Sequence, residues 1–516
     1  MINKRIADLL FPKAQEITYW QKKYPKRKLP KGAEVTRIAP SPTGYLHIGS
    51  IFQGVLDTTL ARQTGGVSIL RIEDTDLSRK TEDAIDAIFA GFEYAGVRFD
   101  EGTFKTGEVG KYGPYTQTAR IETYHSFIKH FIELGHAYPC FCTREDEEAI
   151  RKQQGQNTET GYYGKYRRCH NLTPDQIEKN IKAKKPFTIR FRNKSTDISE
   201  KIDCPDVLRG NMSLQRWFKD EVLIKSDGIP VYHFAVVVDD YLMGTTTVVR
   251  GSEWLASFPL HVEIWRAFGF DMPKFLHTML LCKQEGTSRV KISKRKHPDA
   301  KMQYYIDKGY PKDAIIDFVY VMMNSSMFEQ WRKENPCVDV CKYKLETNKM
   351  STTEALWDLE KLNHVSRNHI AHLSAQEVYK QVLAWAWQHC REFNDELRVN
   401  KSKWVAAFNI EREQERPRAD IAFYSEVPDY FDYLWKFKGF DGGDKNMLAA
   451  YAKTYNHEDD KETWFSRLKE FATSREMKVG QVAMEIRRKI TGKEQTPDLW
   501  SIMQILGVRE VLKRLN

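Results

Sequence analysis

The spacing of apolar residues changes along this chain, and each change marks an element. Residues 35–39 have the β-branched composition of a strand, and Pro40-Ser41-Pro42-Thr43-Gly44 breaks it. From His47 the apolar side chains fall at Ile48, Ile51, Phe52, Val55 and Leu56, which is one face of a helix. Gly65-Gly66 ends that helix. A second strand is predicted over 67–72 and runs into Glu73-Asp74-Thr75-Asp76. Ala84, Ile85, Ile88, Phe89 and Phe92 mark the next helix. Strand, helix, strand, helix with short turns is the pattern of a parallel α/β sheet.

Residues 114–222 interrupt that rhythm with a helix near 121–134, a Cys-bearing turn, a polar stretch over 153–160 and a strand at 187–192. They read as an insertion between two halves of the sheet. The rhythm is predicted to resume with strands at 221–224 and 245–249 and a helix over 254–268. After about residue 300 helical patterns dominate. Residues 327–350 read as an irregular surface loop, and residues 1–33 as a short amphipathic extension. No internal repeat or low-complexity block is found.

Composition narrows the class. Of 516 residues 41% are hydrophobic and 29% charged, which suits a globular chain of several domains. The most apolar runs, such as 234–238 and 318–323, are far short of a membrane span. The N-terminus lacks the apolar segment of a signal peptide. Eight cysteines in so long a chain, Cys337 among them, argue for a reducing, cytoplasmic setting without a disulfide scaffold. Lys and Arg number 80 against 70 Asp and Glu, a net charge of +10 that permits a polyanionic partner.

Four motifs carry chemistry. The segment 40–50 lies between the first strand and first helix, where a helix N-terminus offers N–H groups to phosphate. His47 can donate to a phosphoryl oxygen there, and Gly49 lets a nucleotide approach. The competing reading makes His47 a helix cap and Gly49 a packing residue. Lys291-Ile292-Ser293-Lys294-Arg295-Lys296 is either a solvated basic loop or a source of positive charge for a phosphoryl-transfer transition state. Arg71-Ile72-Glu73-Asp74-Thr75-Asp76, with Arg79 beyond, can hold an ammonium through Glu73 while Asp76 or Ser78 caps the following helix. The fourth runs from Ser226 to Ala235 and continues through Asp239-Asp240 to Arg250-Gly251-Ser252-Glu253-Trp254; Arg37 and Arg250 each follow or lie within apolar β segments, where an unpaired guanidinium is costly. Each suits a substrate carboxylate or an internal salt bridge.

Together these residues resemble the bacterial type of glutamyl-tRNA synthetase, a class I aminoacyl-tRNA synthetase. Residues 37–49 resemble its H-I-G-H-class motif, 71–76 its R-I-E-D-T-D segment, 291–295 its form of the K-M-S-K-S loop, and 357–363 a segment beyond it. The glutaminyl relatives would show P-E-P-N-G after the first strand. The resemblance covers about 34–375. It implies a Rossmann-like parallel-sheet catalytic domain (1–113 and 223–288) with an inserted acceptor-stem-binding domain (114–222). A stem-contact region with the Lys-rich loop (289–385) and a mainly α-helical anticodon-binding region (386–516) would follow.

The resemblance also implies that L-glutamate is activated with ATP and Mg²⁺ to glutamyl-adenylate, then passed to the terminal adenosine of tRNA(Glu). His47, Gly49, Lys291 and Lys294 would serve ATP and the transition state, with Trp254 at the adenine side. Glu73 would hold the amino group, Arg37, Tyr232 and Arg250 the carboxylates, and Ala39 and Ser41 would line the pocket. Similar enzymes are usually monomers. Ser50 replaces the last residue of H-I-G-H, and His233 stands where the family often has Asn. Cys140, Cys142 and Cys169, with His170 beside the last, resemble the zinc module of some members, with Tyr163 or Tyr166 as another fourth ligand. The other reading is a metal-free loop with buried thiols.

Three alternatives are weaker. A tRNA-modifying glutamyl transferase would end soon after the core. A small-molecule ligase of H-x-G-H chemistry would not need Glu73, and a non-catalytic tRNA-binding paralogue would not need intact His47, Gly49, Lys291 and Lys294.

Overall fold

The protein is described by a computed structural model covering residues 2–76, 83–155, 159–195, 197, 199–336 and 338–516. Ser78, Arg79, Cys337 and part of the polar stretch 153–160 lie outside the described residues. The chain divides into two compact units. One comprises Met1–Gln303, Val319–Glu329 and Asp339–Trp357; the other comprises Tyr304–Phe318, Gln330–Val338 and Asp358–Asn516.

The first unit is built on parallel strands. Val35–Ile38 pairs in parallel with Val67–Leu70, which pairs in turn with Glu101–Phe104. A second parallel pair, Thr247–Gly251 with Lys274–Thr278, adjoins the first through Thr246 N, which donates to Val35 O at 2.9 Å. The helix Ile48–Thr64 buries Ile48, Ile51, Phe52, Val55 and Leu56, the predicted face. Gly65 ends it at φ 68°, a left-handed conformation that glycine adopts without strain. The first strand therefore ends at the N-terminus of a buried helix, with its carboxyl end open to a ligand.

Two expectations are corrected here. The strand predicted over 221–224 does not resume the parallel sheet. Val222–Ile224 pairs antiparallel with Thr188–Phe191, which also pairs with Ala137–Cys140 in a separate three-stranded sheet. Composition cannot tell these alternatives apart, because pairing partners are set by tertiary placement. The helix predicted over 254–268 is two elements, a 3-10 turn Ser252–Ser257 and an α-helix Phe258–Phe268. Pro259 sits in the first turn of that helix, where its missing N–H costs nothing.

A two-stranded ribbon, Lys201–Asp206 with Gly210–Gln215, completes the inserted segment. The N-terminal extension forms helices Ile2–Leu10 and Ile17–Lys23. Its Ile6, Ala7, Phe11 and Trp20 are buried, which bears out the amphipathic reading. Trp20 Nε1 donates to Ser126 Oγ at 2.8 Å, and Arg27 grips Glu101 bidentately at 2.9 and 2.7 Å.

Residues 327–350 are more regular than their polar composition suggests. A helix, Ser325–Glu334, is followed by short 3-10 turns at Val340–Lys342 and Thr347–Lys349. Phe328 is buried against the rings of Tyr320 and Tyr343, at 5.2 and 5.1 Å, and anchors this segment. In the second unit helices predominate, and Phe393, Trp404, Phe408 and Phe431 form part of one continuous core.

Candidate active site

The floor of the site is a buried set of ion pairs. Asp239 and Asp240 lie inside the helix Tyr232–Leu242, and both are buried. Arg37 Nε donates to Asp240 Oδ1 at 3.0 Å, and Arg71 Nη1 donates to the same oxygen at 2.8 Å. Arg71 Nη2 also donates to Glu73 Oε1 at 3.1 Å. Asp239 accepts from Arg120 Nε at 2.7 Å, Tyr124 Oη at 2.9 Å and Gln117 Nε2 at 3.0 Å. Burial works against the charge of Asp240, but Arg37 and Arg71 more than offset it and hold the carboxylate below its ordinary range. Arg71 and Asp239-Asp240 fell within sequence motifs without being given this pairing role, and Arg120 was not singled out. The signal was available: two carboxylates within a run as apolar as 234–242 must be paired.

Above this floor lies a cavity of about 730 Å³. It brings together Arg37, Ala39, Ser41, Glu73, Tyr232, Arg250 and Trp254. Thr75, Asp76 and Lys225 join them without having been predicted as ligands. The two arginines differ. Arg37 makes the internal salt bridge that sequence reasoning left open, and Asp240 keeps its pKa raised despite burial. Arg250 has no carboxylate partner among the described residues; its Nη1 and Nε meet the imidazoles of His261 and His277. Burial lowers its pKa, and its Nη2 is buried without a hydrogen-bond partner among the described residues. Glu73 is pushed up to about 7, by burial first and against the pull of Arg71 and Arg37. The predicted capping by Asp76 or Ser78 bears on residues 77–82, which lie outside the described residues; the helix Ala84–Tyr94 has Asp83 at its N-cap.

A second cavity of about 1100 Å³ brings together His47, Gly49, Lys291, Lys294 and Trp254. It shares Thr43, Ser50, Gln53 and Trp254 with the first, so the two are one continuous cleft. His47 is at once the N-cap of the helix and a wall of this cleft. Its Nδ1 accepts from Gly49 N at 2.8 Å, so its hydrogen lies on Nε2. Burial, then Lys294, lowers its pKa to about 4. A Cβ at Gly49 would lie 2.9 Å from His47 Nδ1, so this glycine makes room for the imidazole as well as for any ligand. Lys294 Nζ donates to Tyr45 O at 2.9 Å, and Lys291 Nζ meets Glu253 Oε1 at 3.1 Å. Lys291 is exposed, so its ion pair is weak, while Lys294 is half-buried and its pKa is lowered first by that burial.

Cys140, Cys142 and Cys169 converge apart from the cleft, with their sulfurs within 4.8 Å of one another. The hydroxyl that meets the thiols is that of Tyr162, with Tyr166 packed alongside the cluster. Tyr162 Oη lies 3.5 Å from Cys140 Sγ and 3.2 Å from Cys142 Sγ. Tyr163 turns away to Glu159 O, and His170 turns to Asp220. Hydrogen bonds from Cys142 and Cys169 push the Cys140 thiol strongly toward the thiolate.

These features have close relatives among known proteins. The model of tRNA synthetases class I (E and Q), catalytic domain, matches residues 34–363. An anticodon binding domain matches residues 418–516. The chain is 40% identical over 542 residues to the glutamate–tRNA ligase of Acetivibrio thermocellus, covering 99% of each. It is 38% identical over 548 residues to that of Clostridium perfringens, covering 100% of each. The solved glutamate tRNA ligase of Elizabethkingia meningosepticum, in complex with its amino acid, superposes with a TM-score of 0.77 at 25% identity, over 93% of this chain and 98% of that one. Fold, cleft and relatives agree, and the chain belongs to the class I tRNA synthetases of the glutamate and glutamine group, within the glutamate–tRNA ligase family.

Proposed function

We propose that this cleft joins L-glutamate to tRNA(Glu) in two steps. The α-carboxylate of glutamate attacks the α-phosphorus of ATP, giving glutamyl-adenylate and pyrophosphate. The 3′-terminal adenosine of the tRNA then takes the glutamyl group and releases AMP. The observation that carries this reading is the continuous cleft, with a buried arginine and glutamate at one end and a histidine and two lysines at the other.

At the amino-acid end Glu73 holds the substrate ammonium, while Arg250, Arg37 and Tyr232 receive carboxylates. Ala39 and Ser41 line the pocket. At the nucleotide end the Nε2–H of His47 donates to a phosphoryl oxygen. Gly49 keeps the backbone approachable, and Trp254 lies at the adenine. Lys291 and Lys294 exchange their contacts for the triphosphate and stabilise charge as pyrophosphate leaves. Magnesium arriving with ATP offsets phosphate charge.

Beyond the cleft, residues 114–222 take the acceptor stem, 289–385 the adjoining stem and 386–516 the anticodon. The net charge of +10 suits that polyanion, whose binding weakens as salt rises. The enzyme works as a monomer in the cytoplasm. The thiol cluster holds zinc structurally through Cys140, Cys142 and Cys169, with the Tyr162 hydroxyl placed to be the fourth ligand.

Exchange of labelled pyrophosphate into ATP tests the central reading. Glutamate supports exchange and aspartate does not, with tRNA present; no exchange with glutamate under any condition refutes it. Lys294→Ala lowers the rate of adenylate formation about a hundredfold, equivalent to about 3 kcal/mol, with little change in glutamate affinity. A change confined to affinity would take the loop out of the chemistry.

Glu73 sets a pH dependence. With a pKa raised to about 7, it loses its charge as pH falls through 7 and can no longer pair with ammonium. The KM for glutamate therefore rises from pH 8 to pH 6, and Glu73→Gln raises it at pH 8 and flattens the profile. Elemental analysis of protein purified without chelator yields about one equivalent of zinc; less than about a tenth leaves the metal-free loop.

A further inference from the structure

Arg250 is held in place without being neutralised. Its Nη1 donates to His261 Nδ1 at 2.8 Å, and its Nε donates to His277 Nε2 at 2.9 Å. Beyond these, His261 Nε2 lies 2.7 Å from His233 Nδ1, and His277 Nδ1 lies 2.7 Å from Asp206 Oδ2. Five side chains from five elements thus form one chain, Asp206, His277, Arg250, His261 and His233, buried except at the partly exposed His233. Asp206 closes the strand Lys201–Asp206 of the inserted ribbon, and His277 is on the strand Lys274–Thr278. Arg250 is on the strand Thr247–Gly251, His261 on the helix Phe258–Phe268 and His233 on the helix Tyr232–Leu242.

The donors and acceptors fix every proton in this chain. A guanidinium can only donate, so His261 Nδ1 and His277 Nε2 must both accept. His261 then carries its hydrogen on Nε2 and gives it to His233 Nδ1, which leaves the His233 hydrogen on Nε2. His277 carries its hydrogen on Nδ1 and gives it to the Asp206 carboxylate. A second proton on His261 or His277 would set two donors face to face. Burial and the charge of Arg250 also hold all three imidazoles neutral: His233 and His277 fall to about 4, and His261 falls well below its ordinary value.

A carboxylate in either imidazole's place would orient Arg250 equally well but cancel its charge, as Asp240 does for Arg37. Neutral acceptors fix its direction and leave the positive charge for a ligand. The rings of Phe258 and Phe275, 5.4 and 5.0 Å away, surround the guanidinium with apolar surface and sharpen that charge.

We propose that His277, His261, His233 and Asp206 are positioning residues that aim an uncompensated Arg250 at a carboxylate of the substrate amino acid, and that the turn of the inserted ribbon is part of this support. Asp206 ties that turn down: its Oδ1 accepts from Leu208 N at 2.9 Å and Arg209 N at 3.0 Å, and Arg209 Nη1 donates to His277 O at 2.9 Å. The proposal rests on the reading of Arg250 as a carboxylate ligand and names what holds it to that task.

The test compares His277→Leu, His277→Gln, Asp206→Asn and Arg250→Lys in the full chain, by pyrophosphate exchange at varied glutamate and ATP. His277→Leu removes the acceptor of Nε and raises the glutamate KM at least about tenfold, with the ATP KM within about twofold. His277→Gln restores an acceptor oxygen and recovers most of the loss, while Asp206→Asn gives an intermediate rise. An unchanged glutamate KM in His277→Leu, beside a raised one in Arg250→Lys, overturns the proposal while leaving the ligand reading intact. An unchanged glutamate KM in Arg250→Lys removes the reading beneath it. Imidazole nitrogen spectra of the unaltered protein labelled at histidine need no variant to fold. They show His277 as the Nδ1–H tautomer and His261 and His233 as Nε2–H tautomers, all neutral at pH 6. A His277 hydrogen on Nε2, or a doubly protonated ring in the chain, overturns the proposal.

Discussion

Three arginines and three carboxylates share a volume from which water is excluded, and they can do so only in pairs. Arg37, Arg71 and Arg120 meet Glu73, Asp239 and Asp240 beneath the cleft, each nearly or wholly buried. Taking an ion out of water costs several kcal/mol unless a partner and hydrogen bonds replace the solvent. That requirement ties together the first strand, the end of the second, the 3-10 turn Gln117–Arg120 and the helix Tyr232–Leu242. No one of these elements can shift without exposing or orphaning a charge. The pocket walls that Arg37 and Glu73 contribute therefore inherit their geometry from Arg71, Arg120, Asp239 and Asp240, which do not line the cavity.

The same network divides labour among the cationic groups. Arg37 spends its Nε on Asp240, so its charge is largely matched inside the protein. Arg250 meets two imidazoles and the neutral Tyr232 hydroxyl, and no carboxylate among the described residues pairs with it. The lysines of the 291–296 loop are different again: Lys291 and Lys296 are exposed, Lys294 is half-buried, and the ammonium groups of Lys291 and Lys294 are each held by a single contact among the described residues. A fixed uncompensated charge suits recognition of a carboxylate, and a movable one suits a leaving group. Both kinds lie along one cleft whose halves meet at Thr43, Ser50, Gln53 and Trp254.

Much of the cleft was legible in the sequence because its residues sit at the ends of short, strongly patterned elements. The strand at 35, the turn at 40–44 and the helix from 48 have distinct periods, so the loop between them could be located and its His47 placed. The capping reading of His47 holds, since its Nδ1 accepts from Gly49 N, and the same side chain also lines the cleft beside the backbone of Ile292. The corrections fall where composition is ambiguous. Residues 222–224 look like any buried strand, yet they pair with the insert. Three thiols could be grouped from their spacing, but whether Tyr162, Tyr163 or Tyr166 completes them depends on backbone turns of a single residue.

Sequence alone determined most of the element order in the first 110 residues, the buried face of the first helix, the location of the turn at 40–44 and many of the residues that line the cleft. Those follow from local periodicity and from chemistry carried by a few adjacent side chains. Only the tertiary structure decided which arginine is neutralised and which is not, and that Asp206, His261 and His277 bear on Arg250 at all. The physical reason is that charge compensation and tautomer choice depend on atoms within about 3 Å. The chain supplies those atoms from strands, a helix and an inserted ribbon that lie far apart until they fold.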